Sequence, residues 1–114
     1  MKKPFLLTYS VKKNDRYSNS ETNSALIREK IYTFLSADTQ RTECVIKHEN
    51  VETTISGMIE VPSGNNSTKE KAVINTIQDA FSSLLKEHSI REYTVMIHCV
   101  IYAETLENPI EIFM

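Results

Sequence analysis

The sequence predicts a single α+β domain with two amphipathic helices on one face of a mostly antiparallel sheet. Three observations carry this. Apolar residues alternate with a two-residue period near 4–11, 55–61 and 91–103. Two further stripes recur at helical spacing, each preceded by a Ser-x-x-Glu signal. The chain has 114 residues, which is room for one hydrophobic core and not two.

Taken in order, residues 4–11 set Phe5, Leu7, Tyr9 and Val11 against Leu6, Thr8 and Ser10, the pattern of a strand with one face more buried than the other. A polar stretch follows, in which Ser18-Asn19-Ser20-Glu21 has capping-box spacing and opens a helix with the stripe Ile27, Ile31, Phe34, Leu35. Glu49-Asn50 then reads as a two-residue hairpin turn. In that register His48 faces Val51, Ile46 faces Thr53 and Cys44 faces Ile55 on one side, while Lys47 pairs with Glu52 on the other. The second arm continues as Ile55, Gly57, Ile59, Val61 and ends at Pro62-Ser63-Gly64-Asn65-Asn66.

Ser67-Thr68-Lys69-Glu70 caps the second helix, whose stripe is Val73, Ile77, Ala80, Phe81, Leu84, Leu85. Residues 91–103 are apolar on both alternating sets, so both faces of that strand are expected to be covered. Pro109 opens a short last strand in which Ile110 and Ile112 alternate with Glu111 and Phe113. The order β-α-β-β-α-β plus a terminal strand is the ferredoxin-like arrangement. With both helices on one side, Leu6, Met96, Val100 and Tyr102 fall on the other, where an apolar patch predicts a partner surface and a homodimer. The terminal strand is placed either over that patch or on the edge of another subunit.

Composition narrows the function. Hydrophobic and charged fractions of 40% and 25% lie in the range of folded globular chains rather than disordered ones. A net charge of −2 supplies no global field toward nucleic acid or acidic lipid. No stretch approaches the roughly 20 apolar residues of a membrane span, and Thr8 interrupts the only signal-like start, so a soluble cytoplasmic protein is expected. Two distant cysteines, Cys44 and Cys99, form no C-x-x-C pair and read as buried free thiols.

Chemistry-bearing motifs are few. The only glycines, Gly57 and Gly64, do not make a phosphate-cradling loop, and G-x-S-x-G and H-E-x-x-H are missing. His98 and Cys99 are strand neighbours that point to opposite faces, His48 lacks a third ligand beside Cys44, and His88 falls where a helix ends and a histidine suits the dipole. No cofactor or metal is expected. Glu104, Glu107 and Glu111 gather near the C-terminus, opposite in sign to Lys2, Lys3, Lys12, Lys13 and Arg16 near the N-terminus. Lys12, Lys13, Arg16 and Tyr17 form a candidate binding loop for phosphate or an acidic surface. The outward set Thr8, Ser10, Glu52, Thr54 and Glu60 argues against base stacking on the open sheet.

The stretch Phe5-Leu6-Leu7-Thr8-Tyr9-Ser10-Val11, its polar loop and the closing strand resemble the Cas2-like proteins of CRISPR and related mobile systems. The resemblance implies a ferredoxin-like dimer whose C-terminal strand joins the partner. Some of those proteins are metal-dependent nucleases using an aspartate at the end of strand one; here Ser10 follows Tyr9 and Asp15 lies further along the loop.

The reading that results is a non-enzymatic protein acting through protein–protein surfaces, such as an accessory or inhibitory factor of a phage or mobile element. Its alternative is a Cas2-like nucleic-acid binder or vestigial nuclease contacting nucleic acid through the basic loop. An enzyme or small-molecule role in a cleft ranks third, because no residue set supplies both a nucleophile and a positioned base.

Overall fold

A computed structural model describes residues 1–14, 16, 17, 20–51 and 53–114. The elements are β1 (Lys2–Lys13), α1 (Ser20–Ala37), β2 (Thr42–Lys47), β3 (Thr54–Glu60), α2 (Asn66–Glu87), a 3-10 turn at Glu92–Thr94, β4 (Val95–Ala103) and β5 (Ile110–Phe113). The strands form one antiparallel sheet in the order β2-β3-β1-β4-β5. This is the ferredoxin-like fold with an extra strand added beside β4.

The helices cover one face. Ile27, Ile31 and Leu35 of α1 and Val73, Ile77, Phe81 and Leu84 of α2 are fully buried against Leu7, Ile55, Ile59 and Ile101 of the sheet. Removing that apolar surface from water, at about 25 cal/mol per Å², is the main favourable term holding the layers together. Tyr9 meets Phe81 edge-on at 6.4 Å between ring centroids. Beyond the end of α1, the buried Thr42 hydroxyl donates to Leu35 O at 2.6 Å. Next to it Arg41 reaches Asp38 of the same turn and Asp79 of α2, at 2.6 and 3.0 Å.

Several sequence expectations shift. β1 extends to Lys13, because β4 continues to pair with it out to Val95. The cap expected at Ser18 and Asn19 lies outside the described residues, as does the Lys47–Glu52 pair through Glu52. The second helix starts earlier than its Ser67 signal: Asn65 is the N-cap, and its side-chain oxygen accepts from the Thr68 N–H at 2.9 Å. His88 does sit at the C-cap of α2, as its position suggested.

The hairpin register differs most. Lys47 pairs with Ile55 and Ile46 with Ser56, and the pairing slips by one residue between Glu43 and Ile46. The turn is longer than two residues: the His48 N–H bonds Thr54 O, the Val51 N–H bonds His48 O, and Thr53 takes a positive φ of 59°. A bulge with Cys44 at φ 53° then presses against Gly57. A Cβ on Gly57 would meet Glu43 O, Cys44 O and the Val45 Cα at 3.0 Å. The bulge turns Cys44 and Ile46 outward, so Cys44 is exposed rather than buried. Cys99 is buried, and that burial pushes its thiol up to about 12.

Candidate functional site

β4 alternates strictly, with Val95, Ile97, Cys99, Ile101 and Ala103 buried and the residues between them exposed. The expectation that both its faces are covered is therefore corrected for the single chain. Met96, Val100 and Tyr102 fill three of the outward positions and His98 the fourth, and among the described residues no helix or strand crosses this face: β5 joins the sheet beside β4 instead.

Directly opposed residues of antiparallel strands share a face, so the register maps this surface row by row. One row runs Ile46, Ser56, Leu6, Tyr102 across β2, β3, β1 and β4. The next is Thr54, Thr8, Val100, Glu111, followed by Ser10, His98, Phe113 and then Lys12, Met96. The four predicted open-face residues are thus brought together on one surface, with Leu6 opposite Tyr102 and Val100 one row on. Their exposure ranges from 36% for Val100 to 52% for Met96.

Three contributors escaped sequence reasoning. Phe113, 70% exposed, stacks on His98 with ring centroids 4.1 Å apart and planes 13° from parallel. The His98 Nε2 lies 3.4 Å from Glu111 Oε2. Period-two alternation with Ile110 and Ile112 was signal enough to find Phe113; Ile46 had none, because the bulge reversed its face. Ser10, Lys12, Met96, His98 and Phe113 border a notch of about 370 Å³. Thr8, Ser10, Thr54 and Glu60 of the outward set read from sequence do lie on this face, and the rings of Tyr102, His98 and Phe113 stand among them; Glu52 lies outside the described residues.

The candidate basic loop is not one surface. Lys12 and Lys13 belong to β1 and alternate, Lys12 opposite Met96 on the outer face and Lys13 with its Nζ 3.6 Å from Glu21 of α1. Arg16 and Tyr17 lie beyond the strand, held by Asn14, which accepts from the Arg16 N–H through its side chain and from the Tyr17 N–H through its carbonyl. Tyr17 packs on Tyr93 at 4.9 Å between centroids.

Of the opposed charge clusters one pair, Lys3 and Glu104, meets inside the chain, and carboxylates outside the cluster take Lys2 and the terminal amine. Antiparallel pairing brings Lys3 to Glu104 at 3.9 Å and Lys2 to Glu43 at 3.2 Å, and the terminal amine bonds Glu60. Among the described residues no three His, Cys, Asp or Glu side chains converge as a metal site, and no helix is long and apolar enough to cross a membrane. Comparison with known proteins returns no match to any family model, curated protein or solved structure.

Proposed function

We propose that this protein is a non-enzymatic binding factor of accessory or inhibitory type that works through the outer face of its sheet, and that a second copy of the chain occupies this face. The observation that supports it is the apolar set Leu6, Ile46, Met96, Val100, Tyr102 and Phe113 spread over four strands and left uncovered by the chain's own helices and terminal strand. Monomers rarely expose contiguous apolar patches beyond a few hundred Å², and large ones mark interaction sites.

A second copy fits because the polar rim carries both signs. Lys12 stands at one end, while Glu43 and Glu111 stand on the outer edge strands. An isologous two-fold contact needs such a self-complementary surface.

Sedimentation velocity at micromolar concentration tests this, comparing the wild type with Val100→Asp and Tyr102→Glu. The wild type is expected to sediment as a dimer and both variants as folded monomers. A monomeric wild type would defeat the reading. Binding of random duplex DNA that weakens steeply with salt, with no self-association, would transfer the function to the cations of β1 and the following loop.

A further inference from the structure

β1 outruns one of its neighbours. It pairs with β3 only as far as Thr8–Thr54, while its pairing with β4 continues to Lys13–Val95. The Thr53 carbonyl accepts a last bond from the Tyr9 N–H at 3.0 Å, and the positive φ of Thr53 turns the chain aside there. Among the described residues no strand fills the strip that follows. Between α1 and the β2–β3 connection it leaves a cleft of about 550 Å³, within the range of small-ligand sites.

The least exposed charged residue lining this cleft is an arginine. Arg28 of α1 is half-buried, whereas Glu29, Lys47, His48 and Glu49 around it are exposed. Its Nη1 donates to Val11 O at 2.7 Å, on the stretch of β1 that β3 has left. The buried Tyr9 hydroxyl donates to the Arg28 carbonyl at 3.2 Å, so the same helical turn is fixed from both sides. One guanidinium N–H is spent on a neutral carbonyl, and among the described residues no Asp or Glu lies within ion-pair distance of the others. A partly desolvated guanidinium is most stable with an oxyanion on its remaining donors, where charge-assisted bonds are stronger than neutral ones.

We propose that this cleft binds a small molecule through a carboxylate or phosphate group, with Arg28 as the anchor and Lys47 as the second cation on the opposite wall. Tyr9 forms part of the lining, and the exposed Glu29 and Glu49 at the rim disfavour ligands that carry negative charge along their whole length. The site is separate from the outer sheet face, so it stands whether or not the chain dimerises.

The test is a titration of the isotope-labelled protein with inorganic phosphate and, separately, with acetate, followed by amide NMR shifts. Saturable shifts are expected at Ala25, Lys47, His48 and Thr53, with affinity unchanged in Lys86→Gln, a substitution on the exposed side of α2, and at least about tenfold weaker in Arg28→Gln, a loss corresponding to about 1.4 kcal/mol. The anion that binds more tightly assigns the ligand's charged group. Shifts scattered over surface lysines, or equal affinity in Arg28→Gln, would overturn the site. Should Arg28→Gln fail to fold, Lys47→Gln at its exposed position decides: a severalfold loss upholds the cleft and an unchanged affinity refutes it.

Discussion

His98 lies flat against Phe113, ring on ring at 4.1 Å, and this contact links the terminal strand β5 to the outer face of β4. The pair sits one row from Val100 and beside Met96, so a strand that looks like an appendage extends the apolar surface by an aromatic ring. Because β5 is an edge strand of only four residues, its placement depends on pairing with β4 and on the burial of Ile110 and Ile112.

Phe113→Ala should therefore weaken self-association by about tenfold or more while leaving the fold intact, since exposed aromatic anchors dominate interfaces and contribute little to a monomer's own core. Sedimentation equilibrium measures the first effect and urea unfolding the second. A variant that dimerises as tightly as the wild type would place the contact elsewhere on the molecule.

The two cysteines should behave as opposites. Cys44 is exposed on the bulge and Cys99 is buried with its thiol pushed up to about 12. One thiol per chain is expected to react with a maleimide under native conditions and two in denaturant, with native labelling abolished by Cys44→Ser. Prompt native labelling of Cys99 would contradict the packing of β4.

Burial of Cys99 also sets a pH dependence. Its acid form is favoured by folding, so stability from this group is complete below the ordinary thiol value of 9.0 and declines toward about 12, as the unfolded chain ionises and the folded one does not. The slope approaches roughly 1.4 kcal/mol per pH unit. Urea midpoints compared at pH 8 and pH 10 should fall further for the wild type than for Cys99→Val; equal falls would assign the loss to other groups.

The second helix offers a test of its true start. Asn65→Ala removes the side-chain acceptor for the Thr68 N–H and should cost about 1 kcal/mol, while Ser67→Ala, inside the first turn, should cost a few tenths at most. Denaturant unfolding of the two variants distinguishes them. A larger loss at Ser67 would restore the capping box that the sequence suggested.

Gly57→Val should destabilise by about 2–3 kcal/mol, because a side chain there drives into the backbone of the β2 bulge. Relief is expected if the bulge is removed as well: deleting Cys44 in the same chain should recover part of the loss. No recovery would mean that the close approach is not what reserves the position for glycine.

The fold was legible because it rests on local periodicity. Phe5, Leu7, Tyr9 and Val11, the stripes of both helices and the alternation of Ile110 with Glu111 each state which face is buried, whatever lies across from it. The open-face residues Leu6, Met96, Val100 and Tyr102 followed from the same rule once two helices were assigned to one side. The β2–β3 register was not legible, because one extra residue at Cys44 reverses every later side chain of β2, and the room for that bulge is left by Gly57 on another strand. Nor could the sequence show that Lys12 and Lys13 part company across β1, or that Arg28 meets Val11 beside a vacated strip of sheet. Patterning along one segment fixes what is hidden from water; which residues of different segments stand together depends on turn length, bulges and strand overhang, and those are settled only when the segments pack.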